Sequence, residues 1–254
     1  MGYPLVPGYE SVGRVSWAGS SAEIRVGERV FVPGAHCYRD MRSVFGGSAS
    51  RLVVSGRRVV RLDDTVGEQG VLIALAATAY HAIAGGSPPG LIVGHGVLGR
   101  LIARITIALD HAPPLVWEKD AKRSAGVTGY TVAEPDESHR GFAAIYDVSG
   151  DGKLLDSLIQ RLAPQGEAVL AGFYAEPLTF AFPRAFMKEA RIRVAAEWQA
   201  ADLAAVTRLI DDGLLSLDGL ISHRMPADEA GNAYRTAFGE SSCLKMVLDW
   251  RNCS

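Results

Sequence analysis

The chain has few cysteines, little net charge and no long apolar run. Its three cysteines, Cys37, Cys243 and Cys253, are odd in number and lack Cys-x-x-Cys spacing. That pattern gives no disulfide framework and no cysteine-rich zinc lobe, and it fits a reducing, cytoplasmic setting. With 26 basic and 28 acidic residues the formal charge is −2, so no long-range field gathers nucleic acid. The small cluster Arg57, Arg58 and Arg61 reads as decoration of a strand surface. A membrane-crossing helix needs about 20 apolar residues. The most apolar window, residues 71–84, is shorter than that, and the N-terminus has no basic segment followed by an apolar core. Repeats and low-complexity tracts are also missing. What remains is an ordinary globular composition, 48% hydrophobic and 21% charged, over 254 residues, enough for one large domain or two modest ones.

Residues 91–103 carry the strongest signal. Leu91-Ile92-Val93 is a short apolar strand, Gly94-His95-Gly96-Val97-Leu98-Gly99 has the G-x-G-x-x-G spacing, and Arg100 to Ala103 continue as a helix. In a dinucleotide-binding turn the first glycine makes the tight bend and the second admits a pyrophosphate against the backbone. The third packs the helix on the sheet, with the helix N-terminal amides facing the anion. The motif alone is weak in a chain with 28 glycines, so its context matters. After the helix, Pro113-Pro114 breaks the chain, and Leu115-Val116-Trp117 forms a second apolar strand ending in Glu118. That acid lies close to the offset of about 20 residues expected for the ribose-binding carboxylate, which favours NAD over NADP. Lys119, Lys122 and Arg123 keep a 2′-phosphate open as the other reading.

From residue 8 to residue 60 the pattern is short and β-like, with strands expected at residues 11–17, 27–32, 51–54 and 59–62, as in a small barrel or sandwich. The period then changes. A helical stretch at 71–84 leads into strands at 91–93, 115–117, 131–132, 145–148, 168–172 and 192–196, with helices including 154–162 and 202–212. Six strands with crossover helices predict an α/β, doubly wound parallel sheet. A β-like segment at 220–225, a helix at 227–238 and a strand at 244–248 close the chain and read as a return to the first domain.

Several local stretches resemble the medium-chain dehydrogenase/reductase superfamily. Residues 8–15, Gly-Tyr-Glu-Ser-Val-Gly-Arg-Val, are similar to its G-H-E-x-x-G-x-V stretch, and residues 26–30, Val-Gly-Glu-Arg-Val, to its V-G-D-R-V turn. Residues 76–82 resemble the helix entering its nucleotide domain, and residues 220–226 its I-T-H-R-x-P tail. The resemblance implies a Rossmann domain over residues 74–215 inserted in a β-rich, GroES-like catalytic domain formed by 1–73 and 216–254. It further implies N-terminal strands ahead of residue 1, hence an incomplete barrel with apolar sheet edges exposed around residues 12–17. The stretches at 3–13, 32–38 and 45–49 look most like those members that oxidise the 3-hydroxyethyl group of a bacteriochlorophyllide to acetyl with NAD, in bacteriochlorophyll synthesis.

By the same resemblance Gly94, Gly96, Val97, Leu98 and Gly99 hold the pyrophosphate, Glu118 and Lys119 lie at the adenosine ribose, and Thr78, Ser149, Gly150, Gly172 and Phe173 complete the cofactor site. Zinc-dependent members place a histidine where this chain has Tyr9 and a cysteine near Ala74. Phenol and methyl are poor zinc ligands, so no metal is expected. The hydroxyl proton then passes to a side chain or water, with Tyr9 the first candidate, Glu10 beside it as an orienting group, and His36 a further option. Tyr9 also reads as a packed aromatic with its hydroxyl satisfied. Tyr174, Phe182 and Trp198, among the aromatics Phe173, Phe180 and Phe186, are expected to wall a flat tetrapyrrole substrate. Pairing into a homodimer through the last strand of the nucleotide sheet follows by analogy. Two other readings stay open: a zinc-independent NADPH-dependent quinone or enoyl reductase, and a non-catalytic nucleotide-binding protein.

Overall fold

The computed structural model describes residues 2–127 and 129–253. Contacts divide the chain into two units, one made of residues up to Ala74 with those from Leu220 on, the other of Leu75–Gly219.

In the first unit, β1 (Leu5–Val6) pairs in parallel with β4 (Arg42–Ser43). β2 (Ser11–Arg14), β3 (Arg29–Val32) and β5 (Val60–Leu62) form an antiparallel sheet in that order. Val30, Val32 and Ile24 make its small core, against which Val15, Leu52, Val54 and Val59 pack. The strand expected at 51–54 is corrected to an extended coil. Its alternation holds, with Val53 75% exposed between inward Leu52 and Val54, but it has no ladder partner among the described residues. The first strand stops at Arg14 rather than Trp17, which is itself exposed. Val12 is partly covered, because a 3-10 segment over Asp64–Leu72 brings Gly70 against its side chain. Among the described residues β2 pairs on one side only, so no closed barrel forms.

α1 (Ile73–Ala84) carries the chain into the second unit. There β6 (Leu91–Val93) leads to α2 (Val97–Ala108), then β7 (Leu115–Trp117), β8 (Thr131–Ala133) and β9 (Phe142–Asp147). α3 (Leu155–Arg161), β10 (Leu162–Leu170), α4 (Phe182–Lys188), β11 (Arg191–Val194) and α5 (Ala200–Asp211) follow. The sheet order is β11-β10-β9-β6-β7-β8, all parallel. This is the doubly wound arrangement, and its direction reverses between β6 and β9, where such sheets bind ligands at the carboxyl ends of the strands. All three residues of β6 are buried, as expected of a central strand covered on both faces. α5 begins earlier than expected because Gln199 and Asp202 form a capping box at its start. Asp202 also meets His81 Nδ1 at 2.8 Å, tying α1 to α5. The chain then returns to the first unit as β12 (His223–Pro226), α6 (Ala230–Gly239) and β13 (Met246–Asp249), with β12 and β13 paired in parallel.

Candidate functional site

The three glycines of the turn after β6 differ in what surrounds them. Gly94 has φ +106°, and a Cβ there would lie 3.2 Å from the Ser149 backbone; its amide donates to Trp117 O at 2.9 Å. Gly99 packs so closely that a Cβ would fall 2.0 Å from Gly94 O. Gly96 has ordinary backbone angles and nothing within 4 Å of where its Cβ would be. It is the N-cap of α2 and gives that helix no side-chain cap, so the first amides at Val97 and Leu98 have no side-chain acceptor there. Open space beside a bare helix N-terminus fits a pyrophosphate.

Two further strand ends meet this turn. Asp147 O, closing β9, accepts from the amides of Ala171 and Gly172 at 3.0 Å each. A Cβ on Gly172 would lie 3.3 Å from Gly150 N, and one on Gly150 would lie 3.2 Å from Phe173 O. Gly94, Ser149, Gly150, Gly172 and the Phe173 backbone are therefore gathered at the carboxyl ends of β6, β9 and β10. The Phe173 side chain projects outward, 91% exposed. The buried Asp147 carboxylate accepts from Ser149 N at 2.9 Å, and burial pushes its pKa up.

Glu118, directly after β7, is a buried carboxylate. Its Oε2 accepts from the amide of His95, inside the glycine turn, at 3.0 Å, and its Oε1 accepts from Asp120 N at 2.9 Å. Lys119 is exposed beside it. His95, Arg100 and Tyr130, none of them singled out by the sequence, are buried here: the His95 amide holds this carboxylate and its ring meets the Tyr130 hydroxyl. One signal was present: Arg100 sits three residues after Val97 and one before Leu101, on the buried stripe of α2.

The remaining candidates are dispersed. Thr78 is half-buried on α1. In the first unit Tyr9 packs edge-on against Phe45 with ring centroids 4.9 Å apart. Burial first, and then the charge of Glu10, push the Tyr9 phenol upward. Glu10 accepts an ion-pair hydrogen bond from Lys245, and its Oε1 is buried without a partner. His36 is exposed and in coil, with Nδ1 2.8 Å from Ser43 Oγ. No group of three His, Cys, Asp or Glu side chains suited to a metal comes together among the described residues.

The aromatic wall is also corrected. Tyr174 turns back onto the core of the second unit, and its hydroxyl donates to Asp147 O at 3.1 Å. Phe182 stacks at a tilt on Phe186 and joins Phe180, Met187 and Ile192 around an open depression of about 440 Å³ at α4 and β11. Neither Tyr174 nor the half-buried Trp198 lines it.

No family model matches the sequence. A 2-desacetyl-2-hydroxyethyl bacteriochlorophyllide A dehydrogenase from Rhodobacter capsulatus is 55% identical over 99% of this chain and 82% of its own length. A second, from Cereibacter sphaeroides, is 54% identical over 99% of this chain and 81% of its own. The chain belongs to the 2-desacetyl-2-hydroxyethyl bacteriochlorophyllide A dehydrogenase family. Among solved structures, 2R,3R-butanediol dehydrogenase from Bacillus subtilis superposes with a TM-score of 0.82 at 20% identity, covering 97% of this chain and 81% of that one. An alcohol dehydrogenase of Escherichia coli CFT073 complexed with NADH gives 0.82 at 21% identity, covering 96% and 83%. The fold of this bacteriochlorophyllide dehydrogenase family member is thus that of the medium-chain dehydrogenases. Among its described residues no helix is long and apolar enough to cross a membrane.

Proposed function

We propose that the protein oxidises the hydroxyethyl substituent of a bacteriochlorophyllide to acetyl, with NAD as oxidant, as a step of bacteriochlorophyll a synthesis. The observation that carries the reading is the identity of 55% over 99% of the chain, joined to a glycine turn whose open cradle fits a dinucleotide. The alcohol loses a hydride from its carbinol carbon and a proton from its oxygen; bound NAD supplies the hydride acceptor. The chain's own residues do the rest. Backbone amides at Gly96, Val97 and Leu98 meet the pyrophosphate, while Glu118 accepts from the ribose hydroxyls and repels a 2′-phosphate, which selects NAD. Ser149, Gly150, Gly172 and Phe173 flank the nicotinamide. His36 takes the proton: its Nδ1 is steadied by Ser43, and imidazole is the commonest general base. Tyr9, pushed upward, serves as a packed wall.

The same reading places the protein in the cytoplasm as a homodimer joined along β11, an edge strand whose Val194 is 74% exposed. The deciding test is an absorbance assay with 3-hydroxyethyl bacteriochlorophyllide a and either NAD or NADP. A red-shifted acetyl product formed with NAD is the expected result. Failure there, with NADPH-driven reduction of quinones or enones instead, transfers the protein to the reductase reading.

A further inference from the structure

Arg100 is 3% exposed, yet among the described residues each hydrogen bond of its guanidinium ends on a carbonyl rather than a carboxylate. Nε donates to His95 O at 3.1 Å, Nη1 to Gly126 O at 3.2 Å, and Nη2 to Arg123 O at 2.7 Å and Ala125 O at 2.8 Å. A buried cation is costly unless its donors are satisfied, and here three of the four acceptors come from the segment that follows Glu118. Gly126 closes onto the guanidinium with φ +76°, and a Cβ there would lie 2.7 Å from Arg100 Nη1.

His95 completes the network. Its side chain is fully buried, and Nδ1 lies 2.6 Å from Arg123 O. A carbonyl only accepts, so Nδ1 carries the proton, and in the neutral ring Nε2 accepts from the Tyr130 hydroxyl at 2.8 Å. Burial and the Arg100 charge hold this imidazole below its ordinary range, consistent with the neutral ring. One residue therefore does two things: the His95 amide holds the Glu118 carboxylate, and the His95 ring holds the segment beyond it. Among its described residues that segment has one short 3-10 turn, Ala121–Arg123, with local hydrogen bonds around Asp120. Fully satisfied buried polar networks select one conformation where apolar packing would permit several.

We propose that Arg100, His95 and Tyr130 are positioning residues for the adenosine half of the dinucleotide, setting the wall beside Glu118 rather than touching the reacting atoms. The inference rests on the NAD reading above. Its test is binding of two halves of the cofactor by calorimetry: ADP-ribose for the adenosine side and reduced nicotinamide mononucleotide for the other, alongside NADH. Wild-type protein that binds neither NADH nor ADP-ribose overturns the NAD reading and this inference with it. Given wild-type binding, Arg100→Met is expected to weaken ADP-ribose and NADH at least about tenfold, the scale of an unmet buried hydrogen-bond set. Affinity for the mononucleotide is expected to stay as it was, and in turnover the loss appears in KM for NAD rather than in kcat. Tyr130→Phe removes one hydroxyl and carries the same test, at about threefold, should Arg100→Met not fold; Arg100→Lys is expected to recover part of the loss. Equal weakening of both halves, or unchanged ADP-ribose affinity in a folded variant, overturns the assignment.

Discussion

Two alanine substitutions in the glycine turn should fail in opposite ways, and the contrast tests where the pyrophosphate sits. At Gly96 the backbone angles are φ −72° and ψ −172°, open to any residue, and nothing lies within 4 Å of the added methyl. Removing a glycine restricts the unfolded chain, which stabilises by about 0.4–1 kcal/mol. Alanine is a poorer N-cap than glycine, which costs a comparable few tenths to about 1 kcal/mol. The two nearly cancel, so the melting temperature of Gly96→Ala should stay within about 2 °C of the parent. The methyl nonetheless enters the space the diphosphate needs, and relieving such a clash costs about 1–3 kcal/mol. NADH affinity should therefore fall by about ten- to a hundredfold. Gly99→Ala reverses the order, because its methyl would sit 2.0 Å from Gly94 O, a backbone atom that cannot swing aside. A strain of about 1–3 kcal/mol there corresponds to a drop of about 2–10 °C. Circular-dichroism melting and fluorescence titration of NADH separate the two variants. A Gly96→Ala protein that melts and binds like the parent would refute the placement of the anion.

Other consequences follow from the same geometry. Glu118→Gln sets an amide NH2 against one of the two backbone donors at His95 and Asp120, so the ratio of kcat/KM for NAD over NADP should fall at least about tenfold, the scale of a buried donor left unmet. His95 binds its proton less readily in the fold than the ordinary 6.5 of an unfolded imidazole, chiefly through burial and also through Arg100 and Arg104, against the opposing pull of Arg123 O and Glu118. Its share of stability is thus intact above about pH 6.5 and is lost as pH falls toward the folded value. Melting curves between pH 7.5 and 5 should drop less steeply for His95→Asn than for the parent, and an equal slope would remove His95 from the acid response. Turnover should separate the proton-acceptor candidates: His36→Gln is expected to lose about a hundredfold in kcat, the usual weight of a general base. Tyr9→Phe is expected to keep most of its rate, and the reverse pattern would restore the phenol.

What the sequence made legible, and what it hid, divides along a physical line. The glycine turn could be read because each glycine answers a local demand, a positive φ at Gly94 and a close approach at Gly99, and the flanking strands are apolar on both faces. The doubly wound sheet followed from the alternation of those strands with helices. Residues 51–54 misled because alternation reports which side chains point inward and is silent on whether a partner strand lies alongside. The aromatics after β10 misled for a related reason: nearness in sequence is not a shared surface, and the chain folds Tyr174 back onto Asp147 while Phe182 starts a helix facing elsewhere.

The hardest residues to see were the polar ones that the fold buries. A histidine between two glycines and an arginine just after the third read, by composition, as surface. They are buried because the backbone following Glu118 offers carbonyls and no ladder to absorb them, and one guanidinium satisfies three of these together with His95 O. The demand is set by a segment more than twenty residues away from the residues that meet it, which no local pattern reports. The trace it leaves in the sequence is a charge placed on the apolar stripe of α2. In this protein that misplaced charge points to the loop that the dinucleotide would lean on.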